Sequence, residues 1–164
     1  ARLCTRVRPG FIRVDADELT YPAHVILRYE IERALIEGEI EVDDIPALWD
    51  EKMKASLDVD TRGNFTDGCM QDIHWPMGLI GYFPSYTLGA MYAAQYFATM
   101  RAQTPDLDQR IAAGDLSPVT NWLEANIWSQ ASRWEISELM TRATGQTLQV
   151  SHFRKHLESR YLGA

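Results

Sequence analysis

Apolar residues recur along most of the chain at spacings of three and four, the period of a helix with one buried face. Glycine, proline and capping residues interrupt that period and divide it into elements. Pro22 fits the first turn of a helix running to about Glu37, with Thr20 as its cap, Gly38 at its end, and Val25, Ile26, Tyr29, Leu35 and Ile36 as apolar positions. A second helix is predicted from Asp43 or Asp44 to Asp58, carrying Leu48, Trp49 and Met53 on one stripe; EIEV between the two reads as a turn or a short extended piece.

From Asp58 to Pro84 the period dissolves, and Gly63, Gly68, Pro76, Gly78, Gly81 and Pro84 mark a loop-rich segment. Ser85 can cap a long helix reaching Gln103, whose Gly89, Ala90, Ala93 and Ala94 would let a neighbour approach closely. Shorter helices follow at Leu107 to Ala113, in SPVTNWLEANIW with a serine cap and early proline, and in WEISELMTRATG ending at Gly145. Ser151 is the expected cap of a last helix reaching Leu162, with Phe153, Leu157 and Tyr161 on one face. There is no internal repeat and no low-complexity linker, so the expectation is one all-α domain or fragment over residues 1–164 with one loop-rich segment.

Composition narrows the function. The 164 residues are 46% apolar, enough for a core, and their net charge of -7 argues against binding nucleic acid by phosphate neutralisation. Only Arg2, Arg6, Arg8 and Arg13 make one stretch locally basic. No apolar run approaches the roughly 18 residues needed to span a bilayer, and the opening ARLCTRVRPG has no secretory apolar region. Cys4 and Cys69 form neither a disulfide framework nor a CxxC pair, so a reducing cytoplasm is the expected setting, with no nucleic-acid or membrane partner.

Four groups of residues could carry chemistry. His152 and His156 have the i, i+4 spacing of a helical zinc pair, but they stand in HFRKH, where two cations oppose a divalent metal and no glutamate base follows the first histidine. They read as a solvated helix face. Asp15, Asp17 and Glu18 lack the alternating ligands of a calcium loop and fit acids ahead of a helix. Arg13, between apolar residues, needs an anion, which is either Asp15 or Asp17 or a substrate carboxylate. In GCMQDIHWPMGLIGYFPSY, His74 can donate to a carbonyl or oxyanion and Asp72 can orient it, while Tyr82 and Tyr86 add phenolic donors; an aromatic core with satisfied polar tips fits the same residues.

IRVDADELTYP at Ile12–Pro22, GCMQDIHW at Gly68–Trp75 and GYFPSYTLG at Gly81–Gly89 together resemble motifs of the thermostable (Taq-type) metallocarboxypeptidases, zinc enzymes of the gluzincin class; the ending SRWEISELMTRATGQTLQVSHFRKHLESRY is also similar to that family. The resemblance covers essentially the whole chain. It implies a helical fold with a groove, usually homodimeric, and release of single amino acids from the C-termini of peptides by an enzyme using zinc, or cobalt in its place. It further implies that Arg13 grips the substrate's terminal carboxylate, that His74 hydrogen-bonds a substrate carbonyl, and that Tyr86, with Tyr82 as the alternative, stabilises the oxyanion. Gln71, Asp72 and Asp17, which belong to the same motifs, take supporting places.

One departure matters. The family's zinc sits on an HExxH helix upstream of the IRxxAD motif, and no HExxH occurs here. The chain is therefore expected to correspond to the C-terminal third of such an enzyme, to bind no metal of its own and to be inactive alone. A non-catalytic helical module that binds a partner or itself, or one chain of a split enzyme whose partner supplies HExxH, are the alternatives.

Overall fold

The computed structural model describes residues 5–163, and every regular element among them is helical. Cys4 and Arg2 lie outside the described residues. Seven helices are α1 (Tyr21–Ile36), α2 (Ile45–Leu57), α3 (Pro84–Gln103), α4 (Leu107–Ala112), α5 (Ser117–Asn126), α6 (Ile136–Thr144) and α7 (Val150–Leu162). Single 3-10 turns occupy Arg13–Asp15, Val42–Asp44 and Trp128–Gln130. None of the helices is long and apolar enough to cross a membrane among the described residues.

The helix starts are made differently from the sequence expectation. Thr20 is already in helical conformation and gives no side-chain cap; Asp17 does that work, its Oδ1 accepting from the backbone N–H groups of Leu19 and Thr20 at 3.0 Å each. Ser117 is itself the first residue of α5, and its N–H donates to Asp115 Oδ1 at 3.0 Å. Ser151 lies inside α7, whose preceding residue Gln149 makes no side-chain cap. Ser85 likewise lies inside α3, with its hydroxyl donating to the Tyr82 carbonyl. At α1 and α5 a carboxylate placed before the helix displaces the hydroxyl because it both accepts from unpaired N–H groups and complements the positive helix end. The predicted stop at Gly145 is where α6 ends, in the left-handed conformation at φ 83° that glycine adopts without a Cβ clash.

The chain divides into two compact units, Ala1–Leu88 and Gly89–Ala164, with the boundary inside α3. In the first unit α1 and α2 pack together around Leu27, Ile31, Trp49, Met53 and Leu57. The buried stripe of α1 is not the one its apolar residues suggest: Ile26, Tyr29 and Ile36 are exposed, whereas His24, Arg28 and Glu32, spaced four apart, are buried beside Val25, Leu27 and Ile31. In the second unit the buried Gln95 amide joins α3 to the segment between α6 and α7. Its Nε2 donates to Thr144 Oγ1 at 2.8 Å and to the Thr147 carbonyl at 3.1 Å, and its Oε1 accepts from Gln149 N at 2.8 Å. At Gly89 a Cβ would meet nothing within 4 Å, so the expected close approach of a neighbour is not made there.

His24 has no exposed surface, and neither ring nitrogen has a hydrogen-bond partner among the described residues. Burial first, then the charges of Arg28 and Arg13, push its imidazole from 6.5 down to about 4. The unfolded chain therefore takes up a proton between those values and the folded chain does not, so stability present above pH 6.5 is lost as pH falls toward 4. The loss is on the order of 3 kcal/mol. Denaturant unfolding between pH 4.5 and 7, taken as about the window of that shift, should show this slope in the parent chain and a much flatter one in His24→Leu.

Candidate functional site

The loop from Asp58 to Phe83 has little period of its own and is shaped by side chains that reach across to it. A Cβ on Gly68 would stand 2.5 Å from the Asn64 carbonyl oxygen, so only glycine permits this turn. Gln71 then stitches the loop to the Arg13 turn: its Nε2 donates to the Phe11 carbonyl at 2.9 Å and its Oε1 accepts from Arg13 N at 2.8 Å. Farther along, the buried Glu32 of α1 accepts from Trp75 Nε1 at 2.8 Å and from Gly81 N at 2.5 Å. Both ends of the 75–81 turn are thereby tied to one carboxylate.

Asp72 sits at the centre. Its Oδ1 accepts from Arg13 Nε at 3.1 Å and Nη2 at 2.7 Å, and its Oδ2 accepts from Arg28 Nε at 2.6 Å. Arg13 also donates through Nη1 to the Tyr21 hydroxyl at 2.7 Å. Its guanidinium faces the rings of Tyr86, at 4.9 Å, and of Tyr21 and Phe83, at 5.7 Å each. Burial alone would raise the Asp72 carboxyl, but the hydrogen bonds of Arg13 and the charge of Arg28 outweigh it and hold the group below its ordinary value. Burial correspondingly disfavours the Arg13 cation, yet Asp72 more than compensates and its pKa is raised. The ion pair is fixed at neutral pH.

His74 is buried against Phe83, with ring centroids 4.3 Å apart. Its Nε2 is 2.9 Å from the Tyr86 hydroxyl, and its Nδ1 is 3.6 Å from Asp72 Oδ1, beyond hydrogen-bond range. Burial lowers the imidazole pKa; Asp72 opposes this, while Arg13 and Arg28 reinforce it. The ring is therefore neutral at pH 7 and can place its proton on either nitrogen. With the proton on Nε2 it donates to the Tyr86 oxygen and leaves the phenolic O–H free to donate elsewhere. Tyr82 lies near both, tilted against His74 at 5.7 Å and edge-on to Tyr86 at 5.4 Å between ring centroids, and is 46% exposed.

Arg13, Asp72, His74, Tyr82 and Tyr86 thus share one cluster, with Gln71 supporting it through the backbone. Asp17 does not join it; its carboxylate accepts from Arg8, Leu19 and Thr20 backbone N–H groups. The protein anion of Arg13 is Asp72, and not Asp15 or Asp17, because the loop carries that carboxylate to the guanidinium. His152 Nε2 lies 2.8 Å from the Gln146 amide, and His156 stacks on Phe153. Arg28, Glu32 and Tyr21 are additions that the apolar pattern hides; the i, i+4, i+8 spacing of His24, Arg28 and Glu32 was the available signal. A depression of about 480 Å³ lined by Asn126, Gln130, Arg133, Trp134 and Arg142 belongs to the second unit and contains none of the expected site residues.

Residues 1–161 match the family described as Carboxypeptidase Taq (M32) metallopeptidase. Thermostable carboxypeptidase 1 of Thermus thermophilus is 43% identical over 155 residues, which are 94% of this chain and 30% of that protein. Carboxypeptidase 1 of Bacillus subtilis is 40% identical over 160 residues, 98% of this chain and 32% of that protein. Among solved structures, Trypanosoma cruzi metallocarboxypeptidase 1 superposes with a TM-score of 0.96 at 48% identity, covering 98% of this chain and 34% of that one. The chain spans about a third of the length of the curated relatives it matches. Metallopeptidases need a metal, and no group of three histidine, cysteine or acidic side chains able to hold one occurs among the described residues. The described residues therefore offer no ligand set that fits the metal.

Asp72→Asn would leave two buried guanidinium groups facing a neutral amide. Breaking a buried ion pair in this way costs about 3–5 kcal/mol. Asp17→Ala removes the acceptor of the helix-start N–H groups and of Arg8 N, and should cost about 1 kcal/mol. Denaturant unfolding of both variants should show that order, and equal losses would contradict the central place given to Asp72.

Proposed function

The chain belongs to the Carboxypeptidase Taq (M32) metallopeptidase family, and on that premise we propose that it forms the substrate-facing part of a metal-dependent carboxypeptidase that releases single amino acids from peptide C-termini. The observation that supports this most directly is the convergence of Arg13, His74 and Tyr86, from three separate segments, around the Asp72 carboxylate. In this reading the metal, zinc or cobalt, and the base that activates its water are held by residues outside this segment. The working protein is cytoplasmic and homodimeric, and this chain alone is inactive.

Each side chain has a distinct task. Arg13 carries a second N–H on both Nη1 and Nη2 beyond those given to Tyr21 and Asp72, and these receive the substrate's terminal carboxylate as charge-assisted hydrogen bonds. His74, neutral, has a single N–H, and as substrate binds it turns that donor from the Tyr86 oxygen to a substrate carbonyl. Tyr86, or Tyr82 beside it, donates its phenolic proton to the oxygen on which negative charge develops. The His74–Tyr86 hydrogen bond fixes both groups before substrate arrives.

The 164-residue chain, given an N-blocked dipeptide with zinc or cobalt, should release no amino acid. Chelator-sensitive release that disappears in His74→Ala would place a metal site within this chain and overturn the reading. In a full-length family enzyme carrying this segment, Arg13→Ala should raise KM and lower kcat for free C-termini, and narrow the discrimination against C-terminally amidated substrates. Tyr86→Phe should lower kcat about 100- to 1,000-fold, the cost of one oxyanion donor.

A second reading is favoured by one observation, the exposure of Phe65, Met70, Ile73, Met77 and Ile80 along the loop of the first unit. Such a surface suits a helical module that associates with a partner or with itself. Light scattering that finds a defined dimer of the chain, without catalytic complementation by any metal-binding partner chain, would support it.

A further inference from the structure

We infer that Arg28 is a positioning residue for this site: by holding one oxygen of Asp72 it fixes the carboxylate that orients Arg13 and faces His74. The inference rests on the substrate-binding reading of Arg13 and His74 given above. Arg28 has no exposed surface and so cannot touch substrate. Its guanidinium is held on three sides: Nε donates to Asp72 Oδ2 at 2.6 Å, Nη1 donates to the His24 carbonyl one turn earlier at 2.7 Å, and its Cζ lies over the Trp49 ring, 4.5 Å from the ring centroid. A planar, forked cation so placed is a rigid post. With Oδ2 fixed on that post, Oδ1 is left in the one orientation that receives both Arg13 Nε and Nη2.

Arg28 also acts on His74 through charge. The groups that face this imidazole are Asp72 and Glu32, which favour its protonation, Arg13 and Arg28, which oppose it, and the phenols of Tyr82 and Tyr86. Removing the Arg28 charge takes away one opposing cation, so His74 should titrate at higher pH. Lysine at position 28 keeps the charge but loses the fork and the Nε contact. The two substitutions therefore separate charge from geometry.

The test uses Arg28→Met and Arg28→Lys in the 164-residue chain, with folding checked by circular dichroism and His74 followed by imidazole NMR, its signal assigned by loss in His74→Gln. Arg28→Met should move the His74 midpoint upward and Arg28→Lys should leave it near the parent value. An unmoved midpoint in folded Arg28→Met overturns the charge part of the inference. If the methionine variant does not fold, Arg28→Lys decides: faster exchange of the Arg13 Nε–H supports loss of orientation, and unchanged protection overturns it. In a full-length family enzyme carrying this segment, misplacement of the reacting groups by Arg28→Lys should lower kcat/KM about 100-fold. Unchanged kinetics in Arg13→Ala, with the NMR results as expected, would leave the Arg28 anchor standing and remove the substrate role of Arg13.

Discussion

The first unit depends on one carboxylate shared between two buried arginines. Removing a guanidinium from water is costly, and burial draws Arg28 down to about 10 despite its partner. Asp72 is the one anion in contact with both Arg13 and Arg28 among the described residues, and it comes from a loop far along the chain from either. Folding of that loop and burial of the two arginines therefore require each other. The aromatic rings complete the arrangement: Trp49 and Phe83 face Arg28, and Tyr21, Phe83 and Tyr86 face Arg13, offering π surfaces to cations that have little contact with water.

The same constraint explains how a glycine- and proline-rich segment keeps one shape. Backbone N–H and carbonyl groups that no helix satisfies must find other partners when they are buried. Glu32 takes the N–H of Gly81 together with the Trp75 indole, and Gln71 takes the N–H of Arg13 and the carbonyl of Phe11. Side chains on α1 and within the loop replace a regular ladder. The loop borrows its order from the helix beside it, and the polar stripe of α1 is the surface from which it borrows.

That stripe marks the limit of what periodicity reveals. The positions of α1, α2, α3 and α6 follow from spacing, early proline and terminal glycine, because those signals are local. The caps differ from the expectation because Thr20, Ser117 and Ser151 are favourable cap types in isolation, and spacing alone does not show that Asp17 and Asp115 reach the N–H groups of Thr20 and Ser117 first. The inward face of α1 is hidden from the apolar pattern for a deeper reason. Ile26, Tyr29 and Ile36 are apolar and yet exposed, while Arg28 and Glu32 are charged and buried, since their partners Asp72, Trp75 and Gly81 are distant in sequence. The candidate residues of the loop were legible only as a motif; their mutual geometry depends on that hidden stripe.

The distribution of charge also decides which group stays available for chemistry. Asp72 spends Oδ1 on Arg13 and Oδ2 on Arg28, and His74 Nδ1 stands 3.6 Å from the nearer oxygen without a hydrogen bond. A histidine bonded to that carboxylate would be drawn toward the imidazolium form, whereas one surrounded by two cations and buried is held neutral. The arginines thus keep their own charge through Asp72 and, by occupying it, withhold that charge stabilisation from His74. On the proposed reading this leaves a neutral imidazole bonded to a phenol, and with the imidazole proton on Nε2 the phenolic O–H is free to donate to developing negative charge. Two arginines for one aspartate is then the ratio that keeps the guanidinium groups ionised and the imidazole uncharged in the same small volume.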